Sequence, residues 1–326
     1  MVTVAVAGGT GHVGKTIVEE LRNSHKHKVI VLSRTSTRPD NPVIPEIVVD
    51  YGNVEQVTRV LDTNNVHTVI STIAVLNAAT GQSELDLVAA AAKSSATKRF
   101  IASNWGGVFP ADESLRIPFQ HFRMATLRAL EETDLEWTQF QNGYFVDYYG
   151  MPYVESNLKP LTFVLDVANK AASIPGTGNE TMTLTYSKDL AKFVVAALDL
   201  QKWTYPMICY SDKTTWNKAV SLAEEYRGMH AAEVQIMSEL TTAGTKFQVA
   251  YDSIERLRSG EITELPAHAS AYSFISRPAL YDIQSKFGLY VAYGLFDVPE
   301  EGSLNRLFPE IKTTKVEEII GMWKDK

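Results

Sequence analysis

Val2-Thr3-Val4-Ala5-Val6-Ala7-Gly8-Gly9-Thr10-Gly11-His12-Val13-Gly14-Lys15-Thr16 opens the chain and decides its fold. Val2 to Val6 is nearly all apolar, as expected of a strand buried on both faces. Gly8 to Gly11 break the run, and Val13 to Leu21 read as a helix. A glycine turn between a strand and a helix is a phosphate-holding unit, and this one fits two patterns. Gly9-x-Gly11-x-x-Gly14 matches the dinucleotide fingerprint: tight turn, close backbone approach to a pyrophosphate, and close helix–strand packing. Gly9-x-x-x-x-Gly14-Lys15-Thr16 matches the P-loop of NTPases, with Lys15 on phosphates, Thr16 on Mg²⁺ and Asp50 ending a metal-binding strand.

The end of the second strand separates the two. Lys28-Val29-Ile30-Val31-Leu32 leads into Ser33-Arg34-Thr35, about 20 residues past the glycines, where a Rossmann domain meets the adenosine ribose. An acidic residue there would favour NAD; Arg34 can pair with the 2′-phosphate of NADP instead. The expected cofactor is therefore NADPH, and Lys15 then only continues a helix.

Further strands are expected at Glu46–Val49, Val66–Ile70, Lys98–Ala102 and Glu136–Phe140. Helices between them are read from an Asn53 cap to Asp62, from Ser83 to Ser95 and from Pro118 to Glu132. This alternation predicts an α/β fold with a Rossmann-type, doubly wound parallel sheet. Beyond residue 143 the pattern loosens into a Tyr-, Pro- and Gly-rich stretch. Helices return at Asp189–Leu200 and Thr215–Arg227, a strand at Met207–Tyr210, and Thr314-Lys315-Val316-Glu317 reads as a capping box opening a last helix. The expected division is a nucleotide-binding domain over 1–150, joined again by 187–212, and a smaller interwoven C-terminal substrate lobe over 151–326.

Composition narrows the partners. The formal charge of −7, spread without long runs, argues against binding nucleic acid by phosphate neutralisation. One cysteine, Cys209, rules out a disulfide within the chain and suits a reducing, cytoplasmic compartment. No apolar run reaches the roughly 20 residues that span a bilayer. His12, His25, His27, His67, His121, His230 and His268 show no metal-ligand spacing, so no metal is expected. Either a monomer or a homodimer is compatible with these residues.

Several motifs in order carry a family resemblance: Gly-Gly-Thr-Gly-His-Val-Gly at 8–14, Arg34, Lys98-Arg99-Phe100-Ile101-Ala102-Ser103-Asn104-Trp105-Gly106, Asn142-Gly143-Tyr144-Phe145, and Thr183 to Ala191. Together they resemble the NmrA-like group of atypical short-chain dehydrogenases/reductases, with its isoflavone and phenylcoumaran benzylic ether reductases. Gly150-Met151-Pro152 and Phe308-Pro309-Glu310-Ile311 resemble fungal members. The resemblance implies that Thr10, Gly11, His12 and Val13 line the pyrophosphate in the loop shaped by Gly8 and Gly14. It implies that Arg34 and Thr35 read the 2′-phosphate. Ser71, Thr72 and Ile73 would pass under the adenine-side ribose toward the nicotinamide, and Ser103 and Asn104 would sit near the nicotinamide. All lie at carboxyl ends of strands, where an open α/β sheet holds its ligands.

The resembled reductases use a lysine in the helix after the fifth strand, and this chain departs from them. Aligning on Leu127-Arg128 puts that position at Met124 and aligning on the preceding Phe puts it at Ala125; in either register no lysine occurs between Lys98 and Lys159. The Tyr-x-x-x-Lys pair of ordinary short-chain dehydrogenases is absent too. His121, one turn before Met124 and Ala125, is a candidate proton donor near neutrality, and Arg123 is a candidate for an anionic substrate group. Tyr144, Phe145, Tyr148 and Tyr149 form an aromatic cluster suited to a flat substrate, with Tyr144 as a second candidate donor. Asn142 could orient an oxygen or the carboxamide. The expected activity is NADPH-dependent reduction of a small aromatic or polyketide-type substrate, with Met124, Asn142, Phe145, Tyr148 and Tyr149 at the substrate. The missing lysine keeps open a second reading, a non-catalytic NAD(P)-binding regulator of the NmrA type.

Overall fold

The computed structural model describes residues 1–35, 44–228, 246–273 and 275–326; His230 lies outside them. Its first half builds a six-stranded parallel sheet from β1 (Thr3–Ala7), β2 (Lys28–Ser33), β3 (Glu46–Val48), β4 (Val66–Ser71), β5 (Arg99–Ile101) and β6 (Glu136–Thr138). The order is β3-β2-β1-β4-β5-β6, the dinucleotide-binding order. The strand order, not the strand direction, switches between β1 and β4, so the crevice for a ligand opens at their carboxyl ends.

Both faces of this sheet are covered, which explains the unbroken apolar runs. Val4, Val6, Val31, Ile70 and Ile101 belong to one apolar cluster, with Ile17, Val18 and Leu21 of helix α1 (His12–Ser24). Ala5, Ala7, Leu32, Val69 and Phe100 belong to the other, with Val57 and Leu61 of α2 (Val54–Thr63), Leu87 and Val88 of α3 (Ala78–Lys93), and Leu127 and Leu130 of α4 (Gln120–Glu131). Successive strand residues alternate between two dry faces.

Of the boundaries that differ from the sequence reading, three have a clear local reason. Helix α3 starts at Ala78, not Ser83, because Asn77 caps it: Thr80 N–H donates to Asn77 Oδ1 at 3.0 Å, and Asn77 N–H to Thr80 Oγ1 at 3.2 Å. The strand expected over 136–140 leaves the main sheet at Thr138; β7 (Phe140–Gln141) pairs instead with β12 (Met207–Ile208). Gln139 between them is held by Asn104 at 2.7 Å and by Tyr205 at 3.2 Å. The last helix, Val316–Gly321, is capped one residue later than expected, with Lys315 N–H donating to Glu318. The Thr314 N–H donates to Asp189 Oδ2 instead.

The chain beyond β7 adds two three-stranded sheets, β14-β10-β9 and β13-β11-β8, where β8 is Tyr144–Phe145, β9 Leu165–Asp166, β10 Ala171–Pro175, β11 Thr181–Thr185, β13 Asp212–Thr215 and β14 Gln248–Asp252. Their core joins Tyr149, Phe163, Met182 and Trp216 with the helix Arg277–Ala292. Helix α5 (Ser187–Ala197) packs on α1 through Leu190, Phe193 and Val194. Cys209, just past β12, is fully buried in that same cluster. No helix among the described residues is long and apolar enough to cross a membrane.

Candidate functional site

The site begins at the glycine loop. Gly8 has φ +78°, and a Cβ there would lie 2.9 Å from Thr72 O. At Gly14 a Cβ would lie 2.3 Å from Thr72 Oγ1 and 2.6 Å from Gly8 O. Thr72 cannot withdraw freely, because both its N–H and its hydroxyl donate to Ala7 O, at 2.8 and 2.7 Å. These two glycines therefore let the loop after β4 pack against the loop after β1. Gly11 is different: a Cβ there would meet only Gly8 O, at 3.8 Å. Gly11 caps α1 without any side-chain bond, which leaves the first-turn N–H groups turned toward a ligand.

Thr10, Gly11 and His12 are exposed, Val13 and Thr72 half-buried, and Arg34 and Thr35 exposed past β2. Backbone donors at a helix N-terminus, an open glycine and an exposed guanidinium are the donor set that a dinucleotide phosphate requires. The two side chains of the P-loop reading are committed within α1: Lys15 pairs with Glu19 at 3.9 Å, and Thr16 Oγ1 donates to His12 O at 3.3 Å. Asn157 of the second lobe reaches this helix, donating to Thr16 Oγ1 and Glu19. Partial desolvation of the His12 imidazole, and after it the nearby Lys159 charge, hold it below its ordinary value. Neither Asn157 nor Lys159 stood out in the sequence, since both lie in the stretch without periodicity.

Next to the loop, the ends of β4 and β5 are tied together. Ser71 is fully buried, and its carbonyl accepts the Trp105 indole N–H at 3.2 Å. Ser103 Oγ donates to Ile73 O at 2.7 Å, and Asn104 Nδ2 to Gln139 Oε1 at 2.7 Å. Beneath them lies Glu84 of α3, 1% exposed, which accepts the Ser103 N–H at 2.8 Å and the Thr126 hydroxyl at 3.0 Å. Burial pushes its carboxyl above the ordinary value, against the lowering by those bonds and by Arg123.

A cavity of about 330 Å³ opens from Asn104, Trp105 and Gly106, within the size of small-ligand sites. Tyr144, Tyr148, Phe163, Phe287 and Phe296 wall it; Tyr144 packs on the other four with ring centroids 5.3 to 6.2 Å apart. The Tyr144 hydroxyl is buried and has no hydrogen-bond partner in the structure, and burial pushes its phenol well above the usual value. Phe145 and Tyr148 also line the wall.

Other expected substrate residues are elsewhere. Tyr149 is in the second-lobe core, its hydroxyl donating to Phe163 O at 3.0 Å. Asn142 is fully buried behind the wall, with both amide atoms unpartnered. His121 is exposed and stacked on Phe122, with ring centroids 3.7 Å apart, and neither it nor Met124 is on the wall. The α4 side chains that reach the cavity are Gln120 and Arg123. Helical geometry is the reason: residues two apart point about 200° from one another, so His121 and Arg123 cannot share a face. The Arg123 guanidinium rests on the Phe119 ring, 4.7 Å from its centroid, with a long 3.4 Å bond to Asn104 Oδ1.

Comparison with known proteins gives the family and the fold. A family model described as NAD(P)H-binding matches residues 8–200. An oxidoreductase, BOA1, of Botryotinia fuckeliana (strain B05.10) is 32% identical over 95% of this chain and 96% of its own length. A phenylcoumaran benzylic ether reductase of Nicotiana tabacum is 23% identical over 98% and 97%. Among solved structures, the leucoanthocyanidin reductase–NADPH complex of Vitis vinifera superposes with a TM-score of 0.69, at 17% identity over 98% of this chain and 99% of that one.

Proposed function

Because the chain belongs to the NAD(P)H-binding, isoflavone-reductase-like family of oxidoreductases, we propose that it is an NADPH-dependent reductase of a small aromatic or polyketide-type substrate. The observation that carries this reading is the aromatic cavity opening from Asn104 to Gly106, next to the tied ends of β4 and β5. A flat substrate would lie among Tyr144, Tyr148, Phe163 and Phe287, beside the strand ends that meet a nicotinamide. When bound, NADPH supplies the hydride.

The residues around it bind and orient. First-turn N–H groups at His12 and Val13 would hold the pyrophosphate, and Arg34 with Thr35 would hold the 2′-phosphate. Ser103 and Asn104, held by Ile73 and Gln139, would give the nicotinamide a fixed floor. In the absence of the family's lysine, the Tyr144 hydroxyl is the proposed donor to a substrate oxygen. It lies on the wall, has no other partner, and burial keeps it protonated. The aromatic wall would keep bulk water from the reacting carbon.

The test is titration with NADPH, NADH and ATP–Mg²⁺, followed by NADPH oxidation against quinones, enones and aromatic ketones. NADPH bound in preference to NADH, with oxidation by at least one class, is the expected result. Tight NADPH binding with no oxidation in the whole panel would favour the regulator reading. Binding of ATP–Mg²⁺ alone would overturn the dinucleotide reading.

A further inference from the structure

The cavity wall carries a cation that the reading above leaves unused. Among the described residues lining the cavity, Arg123 alone is charged. Its Nε is buried without a hydrogen-bond partner, and its one bond is the long contact to Asn104. No carboxylate of the described residues lies within ion-pair distance of it. A guanidinium has five N–H donors, and in this half-buried side chain the buried Nε–H is left unpaired, which is costly. Glu84 offsets part of the charge from farther away, but its oxygens already accept Ser103 and Thr126.

Tyr290, Gln120, Gln284 and Trp105 on the wall are committed within the protein. The Tyr290 hydroxyl donates to Leu115 O at 2.8 Å and has Gln120 Oε1 at 3.1 Å, which accepts the Ile117 N–H. Gln284 Nε2 donates to Thr162 O, and the Trp105 indole to Ser71 O. Two buried donors on the wall then lack a partner, Arg123 Nε and Tyr144 OH.

We infer that the substrate is an aromatic carboxylic acid, bound as its anion, with the carboxylate on the Arg123 guanidinium edge and its ring among Tyr144, Phe163 and Phe287. This rests on the proposal that the cavity is the reductase's substrate site. The Phe119 ring covers one face of the guanidinium, and the in-plane N–H groups suit a planar, bidentate acceptor. A carboxylate there would answer the unpaired charge, which a neutral ketone or ester could do only weakly.

The test uses matched acids and methyl esters: benzoate, trans-cinnamate and 2-naphthoate, titrated calorimetrically into the full chain with and without saturating NADPH. At least one acid should bind about 10- to 100-fold more tightly than its ester, the range for a hydrogen bond to a charged group. Arg123→Gln should abolish that preference, and Arg123→Lys should keep part of it. If no acid exceeds its ester, or the preference survives in Arg123→Gln, the inference is overturned; the wild-type comparison holds even if a variant fails to fold. Loss of NADPH binding in the wild type would instead sink the reductase reading, and the acid–ester comparison without cofactor separates the two failures.

Discussion

Two glycines of one motif should fail in different ways when given a methyl group. In Gly14→Ala the new Cβ would sit 2.3 Å from Thr72 Oγ1 and 2.6 Å from Gly8 O, and Thr72 is pinned by its 2.7 Å bond to Ala7 O. Relief requires moving a backbone carbonyl and breaking that bond. Overpacking of this kind costs about 1–3 kcal/mol and the bond about 0.5–1.5, so roughly 2–4 kcal/mol is lost. For 326 residues, at about 2.1 cal/mol/K per residue, Tm falls by about 3–6 °C. In Gly11→Ala the nearest atom is 3.8 Å away and φ is −111°, so the fold accepts the methyl. Its weaker helix cap and its stiffer unfolded chain nearly cancel, and Tm should stay within about 1 °C. The methyl would instead stand where a pyrophosphate must approach the backbone. NADPH affinity should drop about 10- to 100-fold, the equivalent of one or two hydrogen bonds to a charged group. The assay is a Tm scan without ligand together with an NADPH titration by tryptophan fluorescence. A Gly14→Ala protein as stable as wild type, or a Gly11→Ala protein that binds NADPH with full affinity, would refute the division of labour.

Further outcomes follow from single contacts. Arg34→Ala should weaken NADPH about 10- to 100-fold and leave NADH nearly unchanged; equal losses in fluorescence titrations would remove the 2′-phosphate role. Asp147, fully buried, accepts the Ser187 N–H at 2.9 Å and the Ser187 and Ser156 hydroxyls at 2.6 Å each. Asp147→Ala therefore strands the Ser156 hydroxyl and the Ser187 N–H and hydroxyl and should cost about 3–5 kcal/mol in Tm scans, with Asp147→Asn costing less. His27 and His268 are 8% and 1% exposed, and burial holds both below their ordinary value, against the raising by Asp199 and Glu264 respectively. The unfolded chain then binds protons more readily than the native one, so stability is full above pH about 6.5 and falls as pH drops through the depressed folded values. Tm measured from pH 7 to 5 should fall less steeply in the His27→Gln, His268→Gln double variant than in the wild type.

Where a chain is buried on both faces, local sequence is enough to read it. Val4-Ala5-Val6-Ala7 alternates between two apolar clusters, so the strand shows as a run, and the glycines that follow it fix its neighbour in the sheet order. Long-range partners were less legible. The helix Arg277–Ala292 has clear local signals, a Ser276 cap bonded to Ala279 N–H and Pro278 in its first turn, yet its apolar face meets residues more than a hundred positions earlier. Asn157 and Lys159 near α1 depend wholly on how the second lobe folds back.

The register of α4 is the instructive miss, because the signal was present. Aligning on Leu127-Arg128 selects Met124, but the helix's own buried positions select differently. Gln120, Thr126, Leu127 and Leu130 are its buried residues, and at about 100° per residue their mean direction is that of Arg123. His121 and Arg128 fall opposite, and both are exposed. Arg123 is thus four residues before Leu127 and seven before Leu130, in the middle of an apolar stripe. Glu84 repeats the pattern on α3, three before Leu87, four before Val88 and seven before Ala91, all buried. The two helices pack on each other, so each carries one charge into the layer they share. A lone charge on a buried stripe destabilises the helix packing unless something answers it. Glu84 is answered by Ser103 and Thr126, whereas the buried Nε of Arg123 meets no protein acceptor. Asn104, the Phe119 ring and the more distant Glu84 answer the Arg123 charge in part, and a ligand anion in the cavity would answer the rest.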